Sequence, residues 1–129
     1  MADVPADLKY TKDHEWARVD GDRVVVGITQ HAVEALGDVT LVGVDVKVGA
    51  ALTAGKPFGT VESVKAVSDL FAPVDGTLVE VNPELQNSPE RVNESPYDAG
   101  WMVVIQVRDA GALSDLLDAD AYAAYLGTL

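Results

Sequence analysis

Apolar positions in this 129-residue chain fall mostly in short runs, alternating or rich in β-branched residues. Gly, Pro, Asn and Asp break these runs at intervals of roughly 8–12 residues, the spacing of short strands. Residues 16–28, WARVDGDRVVVGI, predict two strands joined at Asp20-Gly21, a favoured hairpin turn pair. Thr29 is placed to N-cap a helix over 30–36, where Ala32, Val33 and Leu36 share a face, and Gly37 is placed to end it. A strand follows over 39–46, with Gly49 and Gly55 marking turns after it. Residues 57–64 and 66–71 predict two more strands, and Asp75-Gly76 turns the chain into another at 77–81. Asn82-Pro83 and Ser88-Pro89 each pair a capping residue with proline, so each predicts a short helical turn. The last strand is expected over 101–107. A helical segment follows over 112–126, with Asp118 as an N-cap or a break inside it. Many short strands with helical decoration at the end predict a mainly β fold, a small barrel or sandwich.

Length and charge narrow the picture. A chain of 129 residues with 48% hydrophobic content suits a single domain with its own core, 1–129. The net charge of −12 disfavours nucleic acid and anionic membrane surfaces and suits basic patches on protein partners. The chain has no cysteine, which excludes disulfides, thiolate metal sites and cysteine nucleophiles. His14 and His31 stand 17 positions apart with no ligand spacing around them, so no metal site is expected. No apolar run approaches the roughly 18 residues that a membrane span needs. Residues 1–8 carry neither an apolar signal core nor an Arg-rich transit pattern. The cytoplasm is the expected compartment, or the mitochondrial matrix if a transit peptide has been removed.

Candidate chemistry concentrates in Gly59-Thr60-Val61-Glu62-Ser63-Val64-Lys65-Ala66-Val67-Ser68-Asp69. With strands on either side, Lys65 falls at the tip of a hairpin, solvated and reachable by a modifying enzyme. Spacing alone leaves open an ordinary exposed turn lysine. A Schiff-base nucleophile would need a desolvated lysine, which a hairpin tip does not offer. His14 and Glu15 as an acid/base pair are discounted, because neighbours on a strand point to opposite faces. Trp16 and Trp101 are expected in the core.

Lys47-Val48-Gly49, Leu52, Gly55-Lys56-Pro57-Phe58, Val61-Glu62-Ser63, the tip lysine and Ala72-Pro73-Val74-Asp75-Gly76 together resemble the biotinyl/lipoyl carrier fold. Four further blocks resemble the glycine cleavage H-protein family. They are Tyr10-Thr11-Lys12-Asp13-His14-Glu15-Trp16; Gly27-Ile28-Thr29 with Ala35-Leu36-Gly37-Asp38; Glu62 to Asp69; and Val92-Asn93-Glu94-Ser95-Pro96-Tyr97 with Gly100-Trp101. Where that family usually has an acidic-Leu-Pro step, this chain reads Gly43-Val44-Asp45.

The resemblance implies a barrel-sandwich hybrid of two small antiparallel sheets with short helices, its core over about 8–108 and its helical tail over about 112–126. It implies lipoate in amide linkage to Lys65, with Glu62, Ser63, Val64 and Ala66 as the context that a lipoate-attaching enzyme reads. It implies a monomeric carrier, not an enzyme, that moves the aminomethyl group of glycine. The partners would be glycine decarboxylase (P protein), aminomethyltransferase (T protein) and dihydrolipoyl dehydrogenase (L protein). Glu15 and Asp69, each inside a resembling block, become the candidates that hold the loaded arm in a cleft.

Two related carriers fit less well. A biotin carrier resembles a methionine–lysine–methionine tip, whereas Val64 and Ala66 flank the lysine here. A lipoyl domain of a 2-oxoacid dehydrogenase lacks the Tyr10–Trp16 and Pro96–Trp101 blocks. That carrier role, or service as a lipoyl donor, is the alternative function.

Overall fold

The computed structural model describes residues 4–108 and 110–129. The first three residues of the segment read for leader features lie outside the described residues. Among the described residues, nine strands form two antiparallel sheets: β1 (Lys9–Tyr10), β2 (Glu15–Asp20), β3 (Arg23–Ile28), β4 (Val39–Val44), β5 (Ala51–Leu52), β6 (Pro57–Ser63), β7 (Val67–Phe71), β8 (Gly76–Val81) and β9 (Val103–Gln106). The larger sheet runs β1-β2-β3-β9-β8-β5, the smaller β4-β6-β7. Helices α1 (Gln30–Leu36), α2 (Glu84–Asn87), α3 (Arg91–Glu94) and α4 (Ala119–Leu126), with a 3₁₀ segment at Ala110–Asp115, fill the connections. This is the mainly β, two-sheet architecture that the strand pattern and the resemblance predicted.

The local chemistry forms these elements as expected in most places. The β2–β3 hairpin turns at Asp20-Gly21-Asp22-Arg23 with Asp20 opposite Arg23, and Gly21 supplies the positive φ of 64°. Thr29 caps α1 by accepting from the Ala32 N–H. Asp118 caps α4 in the same way, accepting from Ala121 N–H at 2.8 Å. The tail is therefore broken at Asp118 into a 3₁₀ segment and a short α-helix instead of one helix over 112–126. β1 and β5, two residues each, were not predicted, since such short edges carry no period to read. β4 stops at Val44, two residues before the predicted end, and β9 starts at Val103, two after Trp101. α3 begins at Arg91, just beyond the Ser88-Pro89 pair; the Arg91 and Val92 N–H groups donate back to the Ser88 and Pro89 carbonyls. Gly43-Val44 continues β4 opposite Thr60 and Gly59, so the departure from the family pattern does not interrupt the strand.

The main core lies between the sheets and includes Val24, Val26, Phe58, Val61, Leu70, Val74, Leu78 and Ile105, all buried. A second cluster gathers Leu8, Tyr10, Trp16 and Tyr122 under the tail. Here Tyr10 and Tyr122 stack with centroids 4.6 Å apart, and Tyr10 and Leu117 exchange backbone hydrogen bonds at 2.8 Å each way. Trp16 is fully buried and its Nε1 donates to Pro96 O at 2.9 Å. Trp101 is only half-buried and packs at the edge of this cluster, so only one of the two tryptophans is a core residue in the full sense.

Gly27 stands opposite Trp16 in the β2–β3 ladder. A Cβ there would lie 2.6 Å from the indole ring. Because Trp16 has no room to retreat, Gly27→Ala should destabilise the fold by about 1–3 kcal/mol, as overpacking does. Urea unfolding followed by tryptophan fluorescence measures this; an unchanged midpoint would contradict it.

Candidate functional site

The β6–β7 hairpin carries Lys65 at its apex. Glu62 and Val67 are the last ladder pair, and the turn closes with Ser63 N–H donating to Ala66 O at 2.8 Å. The Ser63 hydroxyl oxygen accepts from the Lys65 and Ala66 N–H groups at 3.3 and 3.1 Å. A serine is thus the residue that shapes the turn, by the local side-chain bonding that favours Ser in turns. Val64, Lys65, Ala66 and Val67 are all exposed.

The turn is anchored from one side. Val64 N–H donates to Asp38 O at 3.1 Å. Asn93 holds the same segment: its Nδ2 donates to Gly37 O at 2.8 Å and its Oδ1 accepts from Val39 N–H at 2.9 Å. Gly37 sits at φ +79° and a Cβ there would meet Lys65 Cε at 3.5 Å, so the lysine stem lies over a glycine. The role of Asn93 was not legible beforehand; its block was visible, but its partners are 54 and 56 positions away.

Beside the apex, a cleft of about 250 Å³ opens between α1, the start of β2, and β7. Asp13, His14 and Glu15 form one wall, Ala32, Ala35 and Leu36 of α1 another, and Ala66, Ser68 and Asp69 the third. The structure therefore brings Glu15, Asp69 and Ala66 together; Glu62 and Val64 belong to the hairpin but not to the cleft. Asp69 is exposed at the cleft. Glu15 is 2% exposed. Its Oε2 accepts from Phe71 N–H at 2.6 Å and its Oε1 from the Thr11 hydroxyl at 3.4 Å. Burial pushes the Glu15 carboxyl up to about 8, with the Phe71 N–H opposing the shift, nearby Asp13 adding to it and Thr11 opposing it.

His14 lines the same cleft. The alternation rule used to discount a His14–Glu15 pair applies only within a strand, and no contact joins the two side chains among the described residues: His14 meets Tyr122, and Glu15 meets Phe71 and Thr11. His14 precedes β2 and adopts φ +66°, the left-handed region that re-aims a side chain. Its Nδ1 lies 2.9 Å from the Tyr122 hydroxyl, which is 2.7 Å from Thr29 Oγ1. The His14 and His31 rings lie 4.4 Å apart. Among the described residues, no group of three or more His, Cys, Asp or Glu is placed to hold a metal ion.

Lys65 stands beside a cleft and not inside it, on a braced turn, with nothing near its amine arranged to desolvate it. Two small antiparallel sheets with an exposed lysine at a hairpin apex are the arrangement of a carrier domain. Residues 8–128 match the family described as Glycine cleavage H-protein. The glycine cleavage system H protein of Myxococcus xanthus is 54% identical over 127 residues, covering 98% of each chain. That of Mycobacterium avium is 56% identical over 127 residues, covering 95% of this chain and 96% of its own. The crystal structure of a glycine cleavage system H protein from Mycobacterium marinum superposes with a TM-score of 0.87 at 44% identity, covering 96% of this chain and 99% of its own. The chain belongs to the glycine cleavage H-protein family, whose members are carriers and not catalysts.

The raised Glu15 pKa sets a pH dependence. A folded value near 8 against the ordinary 4.5 means that the native state holds a proton that the unfolded chain releases across this window. The stability from burying the neutral acid is complete below about pH 4.5 and is lost as pH rises to about 8. Glu15→Gln keeps an oxygen for Phe71 N–H and removes the titration. Relative to wild type, this variant should gain stability between pH 5 and pH 8.5, by an amount on the order of a few kcal/mol. Urea midpoints at the two pH values measure it; parallel pH profiles would show that Glu15 is ionised in the native state.

Proposed function

We propose that Lys65 bears lipoate in amide linkage and that the chain shuttles the aminomethyl group of glycine from glycine decarboxylase to aminomethyltransferase, with reoxidation by dihydrolipoyl dehydrogenase. The observation that carries this reading is the apex position of Lys65, exposed on a turn that Ser63, Asp38 and Asn93 hold in place. A modifying enzyme reaches the amine without unfolding anything. Glu62, Ser63, Val64 and Ala66 present it in a fixed geometry. The chain fits lipoate in a second respect, since the cleft starts at Ala66, next to the attachment point. When bound, lipoate supplies a disulfide that accepts the one-carbon unit reductively and leaves a free thiol. The acidic surface, −12 in net charge, suits transient docking to basic patches on the three enzymes, and the compartment is cytoplasmic.

The chain's own residues shield the cargo. An aminomethyl group on sulfur is a masked formaldehyde that water releases, so a carrier in transit needs to exclude water from it. Acylation removes the lysine charge, and the empty arm is neutral, whereas the loaded arm brings an amine. Glu15 and Asp69 face the cleft to receive that cation. With the cleft empty, a protonated Glu15 avoids a buried unpaired charge. When the amine enters as a cation, Glu15 gives its proton up to solvent, and the ion pair that forms is hydrogen-bonded and largely desolvated. Such a contact is worth roughly 1.5–3 kcal/mol at the buried Glu15 and less at exposed Asp69.

Two outcomes test this reading. Lys65→Arg should leave the unfolding midpoint within about 0.5 kcal/mol of wild type, as surface changes do, and abolish the lipoyl mass increment in cells supplied with lipoate. An adduct mapped to any other lysine would overturn it. With the arm loaded, Glu15→Gln and Asp69→Asn should release formaldehyde faster than wild type while being lipoylated normally. Equal release in all three would remove the two acids from the arm site.

A further inference from the structure

The loaded arm has two polar features, an amine on one sulfur and a free thiol on the other. Two carboxyl groups account for the amine. Asp13 and His14 are the polar side chains on the wall beside Glu15 that the function has not used, and His14 is the one whose ring is fixed by its neighbours. It lines the cleft, and its ring is held on three sides. Nδ1 is engaged by the Tyr122 hydroxyl at 2.9 Å, the His31 ring packs at 4.4 Å, and the Tyr125 ring stacks at 6.0 Å. With Nδ1 engaged by Tyr122, Nε2 is the ring's remaining hydrogen-bonding nitrogen.

We propose that His14 is a second recognition residue of the cleft: its neutral imidazole accepts the S–H of the loaded arm at Nε2, with Tyr122 as the residue that positions it. This rests on the reading that the arm lies in the cleft. The hydrogen-bond chain closes without conflict. Nδ1–H donates to the Tyr122 oxygen, the Tyr122 O–H donates to Thr29 Oγ1, and Thr29 Oγ1 also accepts from the Ala32 N–H as the cap of α1. The same chain ties the His14 wall to the α1 wall from outside the cleft. Its effect is selectivity by state. The closed disulfide offers neither amine nor S–H, the fully reduced arm offers thiols without an amine, and only the loaded arm satisfies both sets of groups.

Burial, more than the surrounding charges, favours the neutral imidazole. Burial lowers the His14 pKa below its ordinary 6.5, a charge on His31 of α1 lowers it further, and Asp13 opposes both. Tyr122 and Tyr125 face it from α4, Lys12 sits over the Tyr125 ring, and Glu15 and Asp69 face the same cleft. The Tyr122 hydroxyl stays protonated, its pKa pushed up to about 12, chiefly by burial.

The test uses lipoylated full-length protein with the arm loaded, and two readouts. The first is the alkylation rate of the arm thiol by iodoacetamide, relative to a loaded lipoyl-lysine peptide at the same pH. The second is the long-range ¹H–¹⁵N spectrum of the His14 ring. Backbone shifts of Ala66 and Leu70 on loading report whether the arm enters the cleft. His14→Asn tolerates the left-handed backbone, and Tyr122→Phe keeps the ring stack on Tyr10 while losing the hydroxyl. Wild type should protect the thiol by up to about tenfold, the worth of one good hydrogen bond, and hold His14 as the Nδ1–H tautomer when loaded. His14→Asn should lose the protection, and Tyr122→Phe should lose much of it together with the single tautomer. If Ala66 and Leu70 shift in wild type and His14→Asn alike but protection is equal, the His14 assignment is overturned and the cleft reading stands. If neither amide shifts in wild type, the cleft reading falls and the assignment with it.

Discussion

One partly buried hydrogen bond joins the two sheets at the point where the site is built. The Phe71 N–H of β7 donates to the Glu15 carboxyl of β2 at 2.6 Å. β2 belongs to the larger sheet and β7 to the smaller, so this bond sets the distance between the cleft's first and third walls. Because a carboxyl serves as acceptor in a desolvated place, it also leaves there a group whose charge depends on what occupies the cleft. In the proposed function, the side chain that makes the scaffold bond is also the one that meets the cargo.

The rest of the site is arranged around that constraint by bonds of the same kind, between residues far apart in sequence. Asn93 fixes the segment from Gly37 to Val39, on which the turn of Lys65 leans. Tyr122 ties the residue before β2 to the cap of α1. Trp16, through Pro96, binds the segment after α3 to the larger sheet. A carrier needs this rigidity, because its mobile part is the attached arm and its recognition by several enzymes requires that the apex be presented in the same way to each.

Much of this was legible in the chain itself. The alternation of apolar residues, the Asp20-Gly21 turn and the caps at Thr29 and Asp118 gave the strands and helices, since each depends on interactions within a few residues. Lys65 at a turn followed from two flanking β-rich runs. The blocks around it carried the family, because each records a local requirement: Ser63 for the turn, Gly27 for the space above Trp16.

What the sequence by itself determined was the longer strands and helices and the apex lysine. What only the tertiary structure decided was the cleft. His14 and Glu15 line the same cleft, and His14 takes a left-handed backbone just before β2, which no period in the sequence signals. Glu15 was picked out as an acid for the arm, but its raised pKa comes from burial beneath a strand 56 positions away. Tyr122 reaches His14 across 108 positions and Asn93 reaches Gly37 across 56. Local sequence encodes torsions and patterns of burial. Desolvation and long-range hydrogen bonds exist only once the sheets have packed, and it is these that turn an exposed lysine and a few scattered acids into a site.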